Sequence, residues 1–493
     1  MNLKKNKLIF KKYIKFLSLI MLILMLNLVL ESKCLGIEEF EKSNLPITLK
    51  SGENISYYAT LKEAIEVAPT EEETTIFITD NIEIDSQIKI LSGQKIIIDG
   101  KSNYTISIGK NSNNEWYTGK IFHIETNGSL TLKDIEIDGK NNWTLNETYY
   151  NEALNAGTKV TDTNAFVTSE NGAPNRTDWF VQNSGNLEII GSTIKNFYSN
   201  KSVGLFNGPK GSVITIKNSK ITHCASTGSG VIASITGENS IIYIEDGTSI
   251  DGNYAGGNGG IFKVYTKSSV VMNGGEIKNT KSLNTNGNVA MMYGATFILN
   301  EGTIKNNSGV YGTNNGRNAA IYVHSGGKFV MNGGIIEENH GNSTGGIDVA
   351  GHSNASIELN GGVIQKNEVT ENHIERNDLY IGNDYNLEVG KDMTINGFAY
   401  IYGDLINNGN INGWVSLNMV GSDDEVALSG TGTVDGDVVI YHKTDVYPSV
   451  GGDVNVKGDV VYCDPTYQVI VALVYNGGVN EKNRTYRLIA VDK

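Results

Sequence analysis

The feature that most constrains this chain is an internal repeat. Four nine-residue segments align without gaps, and each carries an Asn at its fifth position, a Gly one or two residues later and an Ile at its end. The four segments are 269–277, 296–304, 328–336 and 356–364. Weaker copies end at Ile137, Ile194, Ile221, Ile250 and Ile395. Successive copies are usually about 27 to 32 residues apart, which is typical of a solenoid of stacked repeats.

Two columns of the repeat are apolar in every copy. The second and fourth positions hold Val270 and Met272, Phe297 and Leu299, Phe329 and Met331, and Ile357 and Leu359. The third position tolerates a charge, because one copy has Glu358 there. Positions that are always apolar alternate with positions that also accept polar residues, and this alternation predicts a half-buried β-strand.

Each predicted strand runs into a bend rich in Asn and Gly, the two residues that best tolerate positive φ. The whole chain contains 57 Gly and 59 Asn. The copies are too short for strand–helix–strand units, so each rung, meaning one repeat of the chain, should stack directly on the next. Identical residues would then stand about 4.8 Å apart, and stacked Asn side chains could hydrogen-bond along the column.

A second apolar strand precedes each repeat, at 260–264, 320–323 and 346–349. A rung therefore holds two or three short strands, which predicts an all-β chain folded as a parallel β-helix. Aligning these second strands gives an expected outward column of Phe262, Tyr322 and Asp348.

The ends of the solenoid carry different patterns. Residues 60–68 predict a short capping helix, with Thr60 as N-cap and Glu63 completing a capping box. We expect the β-helix to occupy 37–396, with an insertion at about 141–182 where one repeat step is doubled. Residues 397–493 predict shorter β repeats, either further rungs or a separate small β-domain, and a closing hairpin.

The N-terminus predicts export. Six lysines precede an apolar run at 16–30, namely Lys4, Lys5, Lys7, Lys11, Lys12 and Lys15. The run is short for a membrane span, so residues 1–36 are interpreted as a secretory signal peptide rather than an uncleaved anchor. The expected location is extracellular or at the cell surface, with no membrane association after cleavage. The distance between Cys224 and Cys463 in the sequence does not determine whether they form a disulfide.

The segments 329–339, 345–347 and 377–381 carry a family resemblance. The unit Phe-Val-Met-Asn-Gly-Gly-Ile-Ile-Glu-Glu-Asn is similar to right-handed parallel β-helix repeats of Gram-positive bacterial surface proteins, within the pectin-lyase-like superfamily. The resemblance covers about 55–400 and implies the fold. It implies no single function, since the superfamily includes polysaccharide lyases, glycoside hydrolases and adhesins.

No catalytic or metal site emerges from the sequence. Asp423 and Asp424 lie in a predicted exposed turn, and the seven His do not form a metal-binding pattern. We therefore expect no catalytic residues, no metal and no cofactor. The formal net charge of −14 disfavours nucleic-acid binding, because phosphate backbones would be repelled.

The insertion is the predicted binding site. It contains five aromatic residues, namely Trp143, Tyr149, Tyr150, Trp179 and Phe180. Long loops on rigid scaffolds often carry binding functions, and aromatic faces suit sugars or protein contacts. The alternative is an insertion that packs against the solenoid through its own aromatic residues.

These features predict a secreted or cell-surface, non-enzymatic adhesion or interaction protein. Its expected partners are a polysaccharide or a host or cell-surface protein. One alternative is a polysaccharide lyase or glycoside hydrolase of the pectin-lyase-like superfamily, and another is a purely structural spacer.

Overall fold

The computed structural model describes residues 44–463, apart from 157–165, 202, 284–285, 311–317, 350–353, 370–375, 383–385, 420–424 and 443–447. The predicted signal peptide (1–36), the closing hairpin and Asp423 and Asp424 lie outside the described residues.

Sheet A is the largest sheet, with 26 strands in the described part of the chain. Its strands are Ile47–Ser51, Asn54–Tyr58, Glu73–Ile78, Ile82–Ile84, Lys95–Asp99, Thr105–Ile108, Ser129–Lys133, Glu136–Asp138, Asn186–Ile190, Thr193–Lys195, Val213–Lys217, Lys220–Thr222, Ile241–Ile244, Ser249–Asp251, Ser269–Lys278, Thr296–Lys305, Lys328–Met331, Ile335–Glu337, Ser356–Gln365, Leu387–Asn396, Leu405–Asn407, Asn410–Ile411, Val426–Ser429, Thr433–Val434, Ser449–Val450 and Asn455–Val456.

Two smaller sheets are parallel throughout. Sheet B has 14 described strands, which are Ile88–Ile90, Phe122–Ile124, Val181–Asn183, Phe206–Gly208, Ala233–Ile235, Phe262–Tyr265, Ala290–Tyr293, Ile321–Val323, Ile347–Val349, Leu379–Ile381, Ala399–Ile401, Val415–Asn418, Val438–Tyr441 and Val460–Cys463. Sheet C has seven, which are Tyr198–Ser199, Ala225–Ser226, Tyr254–Ala255, Lys281–Leu283, Ser308–Val310, His340–Gly341 and Glu368–Val369.

In its central part the chain passes through sheets B, A and C in turn and then repeats the path. Phe262–Tyr265 in sheet B, Ser269–Lys278 in sheet A and Lys281–Leu283 in sheet C form one such rung, and each pairs in parallel with the next rung. The protein is therefore all-β with long parallel stacks, an arrangement compatible with a β-helix solenoid.

The repeat columns lie in register and form the core. Val270 pairs with Phe297, Phe297 with Phe329, and Phe329 with Ile357. These side chains are at most 4% exposed, whereas Glu358 is exposed. The predicted strand polarity is confirmed.

The predicted asparagine column forms an outer ladder. Asn300 donates to Asn273, Asn332 to Asn300 and Asn360 to Asn332, each at 2.8 Å. At the adjoining bend, Gly302 has a φ of +96°. A Cβ there would lie 2.7 Å from the carbonyl oxygen of Gly275, so only glycine fits between the rungs.

A second ladder, which sequence reasoning missed, is buried in the turn between sheets A and C. Its amide members, all at most 2% exposed, are Asn253, Asn307, Asn339 and Asn367. Asn339 Oδ1 accepts from the backbone and side-chain nitrogens of Asn307 at 3.1 and 2.9 Å. Asn339 Nδ2 donates to Ile304 O at 3.0 Å and to Asn367 Oδ1 at 2.9 Å. The ladder thus satisfies turn groups that would otherwise be buried and unpaired.

Asp378 ends this buried ladder. Its Oδ1 accepts from the backbone N and Nδ2 of Asn367 at 3.2 and 2.8 Å, and its Oδ2 accepts from Phe398 N at 3.1 Å. Burial nevertheless raises the pKa of the carboxyl to about 6. Because this pKa lies above its unfolded value, the folded state holds the extra proton between about pH 4 and 6. Folding stability contributed by Asp378 therefore falls as the pH rises through that window.

We expect the titration of Asp378 to lower the free energy of unfolding by about 2 to 3 kcal/mol between pH 4 and pH 7. The variant Asp378→Asn has no carboxyl group to titrate at this position. Urea denaturation of both proteins at the two pH values measures the effect as the pH-dependent part of their difference in stability. The same pH dependence in both proteins would contradict the assignment.

At the N-terminal end of the stack, the structure confirms the predicted helix and its capping box. Helix α1 spans Leu61–Val67, with Glu63 N donating to Thr60 Oγ1 at 3.2 Å and Thr60 N donating to Glu63 Oε2 at 3.1 Å. Its apolar side is buried in the main core, at Leu61, Ala64 and Ile65. An antiparallel hairpin, Ile47–Ser51 with Asn54–Tyr58, precedes it and was not predicted.

Strands after residue 396 stack in parallel on those before it. Ala399–Ile401 pairs with Leu379–Ile381, and the sheet B stack continues to Val460–Cys463. Cys224 and Cys463 are both free and buried. Within the described residues, no helix has the length and apolar character needed to span a membrane.

The expected outward column of sheet B was wrong at Phe262. Phe262 pairs with Ala290 and is fully buried in the core, while the outward position of that strand belongs to Lys263. Lys263 pairs with Met291, which pairs with Tyr322, and Tyr322 pairs with Asp348. The short strand preceding each repeat left the register ambiguous by one residue, and such a slip moves a side chain to the other face.

Candidate binding surfaces

The insertion leaves the rungs on either side of it paired to each other. Ser129–Lys133 pairs directly with Asn186–Ile190, although 57 residues separate their registered positions. Within the insertion, helix α2 spans Glu147–Ala156, and Thr144–Leu145 pairs antiparallel with Val167–Thr168. The extra chain is thus a folded addition to the side of the stack.

Two of the five predicted binding residues anchor the insertion. Trp143 is 5% exposed, its ring stacks on His223 with centroids 4.5 Å apart, and its Nε1 donates to His223 O at 2.9 Å. Tyr150 is fully buried in a flank core with Phe166 and Tyr254. Both rings are therefore buried against other parts of the protein.

The other three predicted residues lie in different surroundings. Phe180 is 1% exposed and belongs to the main core. Tyr149 is half-buried and packs against Phe166 at a centroid distance of 4.9 Å. Trp179 is half-buried, and its carbonyl oxygen accepts from Arg176 Nη2 at 3.1 Å. The structure therefore does not bring the five together as one exposed aromatic surface.

The insertion does form one wall of a groove of about 820 Å³, termed here the insertion groove. Its opposite wall comprises sheet C and the preceding turns. The residues that line it are Trp143, Thr144, Leu145, Glu147, Asn151, Leu154, His223, Asp251, Gly252, Asn253, Tyr254, Asn279, Lys281, Asn306, Asn307, Ser308, Glu338, His340 and Glu368.

A second surface, which sequence reasoning missed, is a row of aromatic side chains on the outer face of sheet B. We call it the tyrosine face and define it by Tyr265, Tyr293, Tyr322, His324, Tyr380, Tyr400, Tyr402 and Tyr441. The strands that carry it run from Phe262–Tyr265 to Val438–Tyr441, which is seven steps along the stack. At about 4.8 Å per step, the face is about 34 Å long.

The first half of the tyrosine face is partly open. The Tyr265 and Tyr293 rings are 5.7 Å apart, and Tyr293 stacks on His324 at 5.1 Å. Tyr293 is 45% exposed, whereas Tyr322 is buried. Lys263 Nζ lies 5.3 Å from the Tyr265 ring. This half is an aromatic cluster with one exposed ring, Tyr293, and a cation beside it.

The second half of the face is also an aromatic cluster beside a cation, but Tyr380 in it is buried and the other rings are half-buried. Tyr380 stacks on Tyr400 at 5.9 Å, and Tyr400 lies 5.3 Å from Tyr402 and 6.4 Å from Tyr441. The Arg376 guanidinium is 4.4 Å from the Tyr380 ring and 5.6 Å from the Tyr400 ring. Burial raises the pKa of the Tyr400 hydroxyl, which keeps the group neutral.

Asp348 lies between the two halves. It is fully buried, and its Oδ2 accepts from Ser343 Oγ at 2.7 Å and from Thr344 Oγ1 at 3.4 Å. No group of three or more His, Cys, Asp and Glu side chains in the described part of the chain is arranged to hold a metal ion.

The signal for the tyrosine face was present in the sequence but depended on register. Tyr322 was placed on it, but the aligned column paired Tyr322 with Phe262 instead of Met291 and stopped at Asp348. With the correct register, the next outward residues are Tyr380 and Tyr400.

The chain matches no protein-family model and no curated protein.

Proposed function

We propose that the chain is an exported, right-handed parallel β-helix protein of the pectin-lyase-like type that binds polysaccharide without cleaving it. The long parallel stacks support the fold, and the lysine-rich, apolar N-terminus supports export to the extracellular space or cell surface. The proposed binding function is inferred mainly from the tyrosine face.

The tyrosine face suits an extended, repetitive ligand. Its rings recur along the stack with neighbouring centroids 5.1 to 6.4 Å apart. Pyranose rings have apolar C–H faces that can cover aromatic rings, while tyrosine hydroxyls provide hydrogen bonds at the ring edges. Lys263 and Arg376 add cationic groups, which favour a glycan carrying some negative charge.

Replacing Tyr293 and Tyr402 by Ala together should weaken polysaccharide binding about 10- to 100-fold, because each lost ring contact contributes about 0.5 to 1.5 kcal/mol. The experiment screens the mature protein against a panel of neutral and acidic polysaccharides by affinity electrophoresis. It then measures the best binder by titration calorimetry.

The matched control is Tyr243→Ala, because Tyr243 is half-buried and its strand, Ile241–Ile244, belongs to sheet A. The control should bind like the wild type, and thermal melting should show that both variants remain folded. An equal loss of binding in the control would contradict the proposal. Release of unsaturated products or new reducing ends, with or without calcium, would favour the lyase or hydrolase alternative.

A further inference from the structure

We propose that the insertion groove is a second binding site and that it takes a basic peptide segment, meaning an extended stretch of chain with Lys or Arg side chains. The residues of the groove do not overlap those of the tyrosine face. Peptide binding in the groove therefore does not require polysaccharide binding at the tyrosine face.

The walls of the groove are held in place without a ligand. Tyr150 Oη lies 3.1 Å from Ser282 O and 2.9 Å from Ser308 O, so the insertion is fastened to two successive rungs. Trp143 attaches the insertion to the stack at a third position, through its hydrogen bond to His223 O. Glu147 on α2 forms a salt bridge with Lys281, which belongs to the sheet C wall of the groove. A preformed groove binds its ligand without first losing conformational entropy.

The groove carries excess negative charge. Four carboxylates line it, from Glu147, Asp251, Glu338 and Glu368, against one lysine, Lys281. Lys281 is already paired with Glu147, which leaves three carboxylates to face a ligand. Lys366 approaches Glu338 at 3.9 Å, but both side chains are more than half exposed, so solvent screens that pair.

Two histidines in the groove do not offset this charge. His223 and His340 both line it, and burial lowers the pKa of each, so both imidazoles are neutral near pH 7. The Nε2 atom of His340 is buried without a hydrogen-bond partner among the described residues.

The mixture of apolar and acidic groups favours a basic peptide over other cations. Leu145 and Leu154 belong to the wall formed by the insertion, while Glu338 and Glu368 belong to the opposite side. Lys and Arg side chains combine an apolar stem with a charged head, so their stems can pack on the leucines while their heads reach the carboxylates. A polyanion would be repelled from the same groove.

The test uses fluorescence anisotropy with a labelled octalysine peptide and the mature protein at low salt. The variant Glu338→Gln/Glu368→Gln should raise the Kd for the peptide about tenfold. The control, Glu188→Gln/Glu301→Gln, removes the same charge from exposed positions in sheet A and should leave the Kd within about twofold of wild type. Thermal melting checks that both variants remain folded.

Three results would overturn the proposal. One is no binding of octalysine by the wild-type protein. Another is equal weakening by the groove and control variants, which would indicate general attraction to an acidic chain. The third is displacement of the peptide by a lower concentration of a glucosamine oligomer, which would assign the groove to amino sugars. Loss of polysaccharide binding at the tyrosine face would leave the peptide result unchanged.

Discussion

Asn339→Ala should lower the free energy of unfolding by about 4 kcal/mol, a large share of the stability of an ordinary domain. The substitution removes an acceptor for two donors of Asn307 and a donor to Ile304 O and Asn367 Oδ1. Alanine is too small to replace these bonds, and each buried group left unpaired costs about 1 to 3 kcal/mol. Urea denaturation followed by circular dichroism measures the loss.

The matched control is Asn360→Ala in the outer ladder. Asn360 makes the same type of side-chain bond, to Asn332 Oδ1 at 2.8 Å, but it is exposed. Water can replace its lost bond, so we expect a loss below about 1 kcal/mol. Equal losses from the two substitutions would show that the buried ladder adds nothing beyond ordinary stacking.

The two ladders show how far the sequence could predict this fold. The outer ladder was predicted because its Asn residues fall at one fixed position in four ungapped copies. The buried ladder has Thr280 between Asn253 and Asn307 and ends in Asp378 rather than Asn. Its members also follow bends of different sequence. Its amide members do share one sequence position, three residues after the Ile that ends each copy. That position lies outside the nine aligned residues, and the sequence does not show that its side chains turn inward.

The orientation of the aromatic residues in the insertion could not be predicted for a related reason. The insertion was recognisable from its length and aromatic content, but the sequence could not tell whether Trp143, Tyr150 and Phe180 point outward or inward. In the structure they bind the insertion to the stack. The tyrosine face is built from residues on different rungs that are 20 to 56 positions apart. Its existence depends on a register that is fixed by the backbone and the core.

Tyr150→Ala should cost about 4 kcal/mol and release the insertion from the stack. The substitution empties a fully buried aromatic site, for which losses of about 3 to 5 kcal/mol are typical. It also removes the hydroxyl that binds Ser282 O and Ser308 O. Hydrogen exchange should therefore accelerate most in Glu147–Ala156, while the core of sheet A stays protected.

A pair of hydroxyl deletions separates anchoring from simple packing. Tyr150→Phe keeps the ring but removes a buried hydroxyl that accepts from Ser282 N and donates to the Ser282 or the Ser308 carbonyl oxygen, so it should cost about 2 kcal/mol. Tyr149→Phe changes the neighbouring, half-buried ring by the same single atom and should cost less than about 0.5 kcal/mol. Faster exchange in α2 for Tyr150→Phe alone would locate the anchor at that hydroxyl. Similar exchange in both variants would instead assign the attachment of the insertion to apolar packing of the flank core.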